Sequence, residues 1–487
     1  MPRPGVDIVI TEPAPTGGGP IDTTQCMMLG VSGRGPTDRM MQIRSLREYE
    51  RRFGLRVEGQ VAHDSARAFF NERGSNLRFV RLAGSGLKAA EGELALAGNG
   101  NGNGNGGASL RLTAASGGTW ANQVTVGITA QSELAQGGAV RVTVTDGDVV
   151  ERSTPIRTVA DAVAWSQSSD FVRIDADAGD LDTTLEVTAA VPLAGGVNDD
   201  DVGSSDVEAA LKLFTYGQGF AQVCYPGALD ADVHGAILEH CVTNRRPALL
   251  DLDDTDVPTV AADAAAIHSL DGARYAAALA PRLVYPGPAP GTTVLMPYSA
   301  VQAGIIAAAD RTSGNPNESA AGTLGQSVSA SGYTLEFPDD VREQLNDLGV
   351  TLPLLTTDGR VRTYGSRTAD VEDPNWRWFP NSRVILAISH ECDQVSQEFV
   401  HRQIDAQRRL FTRLEVALGG VCTKWFNLGA LYGDTAEEAF SVDAGPGVNT
   451  VDTIEAGEIH AVIRVHTAPP GEWVVIEISK TPLAQAV

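Results

Sequence analysis

The sequence predicts a mixed α+β chain of several domains: a discontinuous α/β core, a β-rich domain inserted into it, and extended strand arms at both ends. Three observations predict this. Helix and strand patterns alternate in the manner of βαβ units before Gly84 and again after Asp206. Between them the chain turns to short strands separated by glycine-rich turns. At each end a strand pattern stands without a neighbouring partner in the sequence. We place the boundaries at 1–24, 25–87, 88–202, 203–358 and 359–487.

In the first segment, PGVDIVITE puts Val6, Ile8 and Ile10 on one face and Asp7, Val9 and Thr11 on the other, the two-residue period of a strand. The following PAPTGGGPIDTT, with Gly17, Gly18 and Gly19 in a row, is too rich in proline and glycine for a tight hairpin and reads as a flexible tether. CMMLGVSG, from Cys26, is a short buried strand. In SLREYERRFG, Ser45 and Glu48 have capping-box spacing, Leu46, Tyr49 and Phe53 make one helical stripe, and Gly54 ends it. Ala66, Phe69 and Phe70 indicate a second helix before Gly74, and NLRFVRL is a strand.

From about Glu91 to Val202, LRLTAA, NQVTVGIT, AVRVTVTDG and TLEVTAAV are strands, interrupted by the low-complexity GNGNGNGNGG of Gly98 to Gly107. EAALKLFTYG, AQVCYPG, ADVHGAILEHCVTN and RRPALLDLDD then resume the alternation of helix and strand. After Gly359, RVRTYGSRT is a strand, Ser382 to Gln397 a helix, and Ala406 to Gly420 a second helix with Leu410, Leu414 and Leu418 at i+4 spacing, stopped by Gly419-Gly420. The chain closes with two strands. One carries Ile459, Ala461, Ile463 and Val465 on one face and His460, Arg464 and His466 on the other. The second, with Trp473, Val474, Val475, Ile476 and Ile478, is apolar on both faces, as a central strand would be.

Composition narrows the function. The formal net charge is −24, from 61 acidic and 37 basic residues, which argues against nucleic acid or an anionic membrane as a partner. The five cysteines are scattered with no CxxC spacing, so neither a disulfide framework nor a zinc ribbon is indicated. The opening MPRPGVDI lacks a basic region followed by an apolar core, and no run approaches the roughly eighteen apolar residues of a membrane span. Assembly in the cytoplasm is the expectation, with no direct membrane insertion.

Candidates for chemistry are weak. His234 and Cys241 share helical spacing for a two-ligand metal site, but packing is the simpler reading. His390-Glu391-Cys392 lacks the second histidine of HExxH, and Ser32 lacks the final glycine of a nucleophile elbow. The glycine repeat has no following Lys-Ser or Lys-Thr for phosphate, and the acidic runs Asp251 to Asp256 and Asn198 to Asp201 lack the glycine and terminal glutamate of an EF-hand loop. The expectation is a non-enzyme with no cofactor and no metal.

Several stretches, in order along the chain, resemble contractile tail sheath proteins, the family of contractile-tailed phages and phage-tail-like injection systems. PGVDIVITE is similar to the family's PGVYxEE-type start. VSGRGPTDRMMQIRSLREYERRFG matches GxxxRGPxxxPxxIxSxxEFxxxFG nearly position for position, and GTWANQVTV resembles G-x-WGN with Ala121 in place of glycine. MPYSAVQAGIIAAADRTSGNPNESA is similar to PPSGhvAGxxAxxDxxxGxxxAPAN. The run LGVTLPLLTTDGRVRTYGSRT onward resembles LNxxGVNxIRxFPGxGxxVWGARTL through WxYxNVRRL. The ending resembles GALxGxTPEEAFxVxCD and DxxxGxLxxxIGxAPxxPAEFVxFxI, although no cysteine follows SVDAG. Arg402, Arg408 and Arg409 lie where the family has an extended VFEPN-like piece, and the β-rich insert has no counterpart.

The resemblance implies a structural subunit that polymerises with itself as stacked rings of six around an inner tail tube, with baseplate and terminator or cap proteins as further partners, in a virion tail or an injection particle. It implies that the terminal strands complete a small sheet on neighbouring subunits, that Gly17 to Gly19 are a hinge, and that a helix bearing Arg402, Arg408, Arg409 and Arg413 faces the tube. Two other classes are compatible with the residues: a static shell or surface-layer protein, and a hydrolase with an unrecognised carboxylate pair.

Overall fold

A computed structural model describes residues 21–96, 109–131 and 138–472. The arm residues Val6, Ile8, Val9 and Ile10, the tether Gly17 to Gly19, the glycine repeat and the strand carrying Trp473, Val474, Val475, Ile476 and Ile478 lie outside the described residues.

The chain opens with β1 (Gln25–Val31), β2 (Met41–Ile43), α1 (Leu46–Phe53), α2 (Ala62–Asn71) and β3 (Asn76–Leu82). Ser45 caps α1 by accepting from the Glu48 N–H at 3.2 Å, while the Glu48 carboxylate accepts from Arg44 N–H, one residue before the expected capping-box partner. Gly54 ends the helix with φ near 90°, a conformation that favours glycine.

Seven strands follow: β4 (Glu91–Ala95), β5 (Ser109–Ala114), β6 (Thr125–Ala130), β7 (Val140–Asp146), β8 (Val149–Arg152), β9 (Val172–Asp175) and β10 (Thr188–Pro192), with α3 (Val159–Ser166) before β9. They form two antiparallel sheets, in orders β4-β5-β9 and β10-β6-β7-β8. The two sheets and α3 enclose one apolar cluster of their own, including Leu110, Leu112, Val126, Ile128, Val142 and Ile174.

The alternation then resumes with α4 (Ser204–Leu211), β11 (Gln222–Cys224), α5 (Ala231–Asn244), β12 (Ala248–Asp251), α6 (Val257–His268) and β13 (Ala276–Leu279). Next come β14 (Leu283–Pro286), β15 (Thr293–Met296), α7 (Tyr298–Ser313), β16 (Gly332–Tyr333), α8 (Asp339–Asp347), β17 (Val350–Leu355) and β18 (Val361–Tyr364). The centre of the molecule is an eight-stranded sheet, β18-β17-β13-β12-β11-β1-β3-β2, parallel throughout except for its two outermost pairs. Alternation along each strand splits the side chains between two cores: Met27 and Leu29 of β1 face the cluster under α4 to α6, and Cys26 and Met28 face the one under α1, α2 and α7. Both faces are covered, as a parallel sheet requires.

The C-terminal layer comprises α9 (Phe379–Ser396), α10 (Arg409–Asn427), α11 (Ala436–Ala439), β19 (Phe440–Asp443), α12 (Val451–Glu455) and β20 (Val462–Val465). Here two expectations are corrected. Gly419-Gly420 does not stop the helix: α10 runs through to Asn427 because Val421, Cys422 and Trp425 extend the buried stripe of Leu410, Leu414 and Leu418. Burial of three further side chains outweighs a cost of about 1 kcal/mol per mid-helix glycine. Arg402 is not on that helix; it lies in the turn between α9 and α10.

α9 is fastened to the rest by buried polar bonds. Arg383 makes a two-pronged pair with Asp310 of α7, and its NH1 also reaches the Pro316 carbonyl at 3.2 Å. His390 Nε2 lies 2.9 Å from the Asn244 carbonyl at the end of α5. Glu391 accepts from Lys424 Nζ and Trp425 Nε1 of α10.

Candidate intersubunit site

Open α/β sheets bind ligands at the carboxyl ends of the strands where strand order reverses, here between β1 and β11. In this chain the root of the β-rich segment packs on that place. The Gly35 N–H, just after β1, donates to Ser116 Oγ at 2.9 Å. Buried Arg81 donates from one nitrogen to both the Gly35 and Gly117 carbonyls, and burial lowers its pKa to about 10. Arg34 lies over the rings of Trp120 and Phe171 and pairs with Asp146.

The sequence candidates for chemistry are committed to structure. His234 Nε2 lies 2.9 Å from the Ala228 carbonyl, and Cys241 packs in the core, where burial pushes its thiol up to about 12. His390 and Glu391 make the interhelical bonds already described. In the acidic run, Asp251 accepts from Gly227 N, Ser299 N and Ser299 Oγ, Asp254 from Arg282, and Asp256 caps α6. Asn198, Asp199 and Asp200 accept from Thr119, Gly86 and Gln60 respectively. Among the described residues no group of three or more His, Cys, Asp or Glu side chains is placed to hold a metal ion, and no helix is long and apolar enough to cross a membrane.

The open feature lies in the C-terminal layer. β19 and β20 form a two-stranded antiparallel sheet, pairing Phe440 with Val465 and Asp443 with Val462. The His466 N–H donates to the Ala439 carbonyl, so by the alternation of an antiparallel ladder Arg464 and Val462 bond to β19. Ile463 and Val465 then direct their N–H and C=O groups away from it, and among the described residues no strand pairs with that side. Beneath it, Ile459, Ala461, Ile463 and Val465 line a groove of about 830 Å³. Ile385 and Ile388 of α9 and Leu414 and Leu418 of α10 form its other wall, with Arg245, Asp393 and Arg402 also lining it. The sequence placed the β20 side of this groove correctly as one apolar face; the helical wall is a tertiary feature with no local signal.

Arg408, Arg409 and Arg413 lie at the N-terminal end of α10, while Arg402, in the turn before it, bonds the Glu398 carbonyl and lines the groove. Arg408 is in the left-handed region with φ near 60° and lies over the Phe411 ring, while Arg402, Arg409 and Arg413 are exposed. Asp405 accepts from the N–H groups of Arg409 and Leu410, supplying the negative charge a helix start favours. The guanidinium groups of Arg408, Arg409 and Arg413 run against that preference.

The first and last described residues lie toward the amino-terminal ends of the parallel strands. Ile21 packs against the C-terminal core just before β1 begins, and Glu472 is bound at the end of α8, beside the start of β17. The β-rich segment leaves from the opposite, carboxyl ends of the parallel strands, after β3.

No family model matches the sequence, and no curated protein matches it. Solved structures do match the fold over nearly the whole chain. A sheath tail protein from Listeria innocua is similar at a TM-score of 0.65 and 15% identity, over 93% of this chain and 96% of that one. The helical sheath of the anti-feeding prophage in its contracted state is similar at 0.61 and 16%, over 99% and 100%, a coverage that takes in the β-rich segment and so corrects the expectation that it has no counterpart. A sheath tail protein from Desulfitobacterium hafniense is similar at 0.58 and 17%, over 90% and 93%. The chain carries the fold of contractile sheath proteins.

Proposed function

We propose that the protein is the structural subunit of a contractile sheath, assembling with copies of itself around an inner tube as stacked rings and shortening to drive the tube through a target envelope. The observation that carries this reading is the full-length likeness to sheath proteins, which spans the central sheet, the β-rich segment and the C-terminal layer together. The physical counterpart is the open outer edge of β20 above its apolar groove.

An unpaired edge offers N–H and C=O groups that an added strand satisfies, while alternate side chains in the groove fix its register. In this reading the added strands come from neighbouring copies: Val6, Ile8, Val9 and Ile10 at one end, Trp473 to Ile478 at the other. The Gly17 to Gly19 tether lets neighbours slide while the strands stay paired: Ile21 to Thr24 are held on the fold, and the eight residues Pro13 to Pro20 before them reach up to about 28 Å at about 3.5 Å each. Residues 88–202 form an outer domain, at the carboxyl ends of the parallel strands. The arginines at the start of α10 face an acidic tube surface, which accounts for positive charge placed where the helix dipole disfavours it. Stored conformational energy, not nucleotide hydrolysis, does the work. Assembly takes place in the host cytoplasm, and baseplate and cap proteins close the two ends.

Co-expression with an inner tube protein tests this. Ordered hollow sheaths around tubes, which shorten and thicken on acid or chaotrope treatment, are the expected result. A chain that stays monodisperse and fails to sediment with the tube would overturn the reading.

A further inference from the structure

A cluster of charged and polar side chains outside the groove surrounds Glu472. Glu472 meets Arg367, which follows β18, beside Asn346 at the end of α8. Arg367 Nε donates to Glu472 Oε1 at 3.2 Å and NH2 to Oε2 at 2.9 Å, a two-pronged pair. Asn346 Nδ2 adds a third bond to Glu472 Oε1 at 3.1 Å. Arg367 is itself held by Asp347 at 2.9 Å and by the Asn346 carbonyl, and lies over the Trp378 ring. The two side chains are only 13% and 21% exposed. Neighbouring carboxylates raise the Arg367 pKa in spite of its burial.

Between β20 and this cluster the chain is held at few points. Tyr432 N–H bonds to the His466 carbonyl, Ala468 N–H bonds to the Ala430 carbonyl, and Asn317 Nδ2 reaches the Ala468 carbonyl. A pull applied directly after Glu472 would therefore load these bonds one at a time and then peel β20 from its four-residue pairing with β19. The cluster interrupts that path and directs the pull into α8, β17 and the parallel sheet.

We propose that Arg367 and Glu472 form an anchor through which the segment that follows, 473–487, transmits load into the central sheet, so that β19 and β20 keep their place while that segment is held by a neighbouring copy. This rests on the sheath reading for the source of the load, and the anchor itself is a property of the single chain. Arg367 is a positioning residue: it acts by holding Glu472, where the segment begins.

The test uses the full chain with Arg367→Met and Glu472→Gln, and the charge swap Arg367→Glu with Glu472→Arg. Hydrogen exchange followed by mass spectrometry reads residues 466–472 in the isolated subunit. The single variants are expected to exchange there at least tenfold faster, with β12 and β13 unchanged, and the swap to restore protection in part. In co-assembled particles triggered to contract, the single variants are expected to assemble and then fragment, whereas wild-type sheaths stay continuous. Unchanged exchange at 466–472 would overturn the anchor. Faster exchange with intact contracted sheaths would overturn the transmission of load. A wild-type chain that forms no sheath would defeat the sheath reading, and with it the source of the load, while the exchange data still decide the anchor.

Discussion

The pair Arg383 and Asp310 joins the C-terminal layer to the central sheet, and its removal has a calculable cost. Their side chains are 2% and 0% exposed, and the carboxylate meets the guanidinium through both oxygens. Asp310→Ala leaves the buried guanidinium with the Pro316 carbonyl as its remaining partner and should cost about 3–5 kcal/mol, the range for stranding one partner of a buried pair. Asp310→Asn keeps the shape and one acceptor but loses the charge, and should cost about 1.5–3 kcal/mol. Arg383→Met with Asp310→Leu removes both charges and should lie between neutral and stabilising, because desolvation of the pair offsets its attraction. Urea titration followed by circular dichroism measures all three, taking the transition that removes the helical signal of α7 and α9. If Asp310→Ala costs under 1 kcal/mol, or the double variant is less stable than the single, then the pair does not join the layers as described.

Three further outcomes follow from the same geometry. Val465→Pro removes an N–H that points away from β19, so the subunit should lose only about 1–2 kcal/mol, from packing, while sheath formation is abolished; sheaths of normal yield would show that this edge is not used. Replacing Gly17 to Gly19 with prolines should leave assembly intact and block contraction, scored by particle length after triggering, and normal shortening would defeat the hinge. Asp64→Asn should cost about 2 kcal/mol at pH 7, because burial, which would raise the Asp64 pKa, is outweighed by His63, Arg56 and Arg67 together, which hold it down at about 2. The folded pKa is depressed, so that stability is present above the ordinary value of 3.8 and is lost as pH falls from there toward about 2; a difference that persists at pH 2 would contradict it.

Local patterns carried most of the fold. Cys26, Met27, Met28 and Leu29 form an unbroken apolar run, and a strand covered on both faces needs such a run; the structure divides them between two cores. Ser45 and Gly54 mark both ends of α1 because caps are local chemistry. Gly419-Gly420 misled for the opposite reason: propensity is weak, and the buried stripe beyond it decides. The strand expected from IHAVIRVH is shorter, Val462–Val465, yet its apolar face lines the groove as its alternation indicated. The helical wall of that groove depends on how α9 and α10 meet, which no window of sequence contains. Arg383 and Asp310 went unnoticed, although each is a charge inside an apolar helical run, the signal that could have found them. The anchor at Arg367 and Glu472 joins residues far apart in sequence, and only the folded chain brings them together.

The central claim is assembly through the chain's own arms, and electron microscopy of the purified full chain beside a version starting at Ile21, each with the inner tube protein, tests it most directly. The account predicts stacked rings or hollow sheaths from the full chain and dispersed, folded subunits from the shortened one. Sheaths of equal order and yield from both would contradict it.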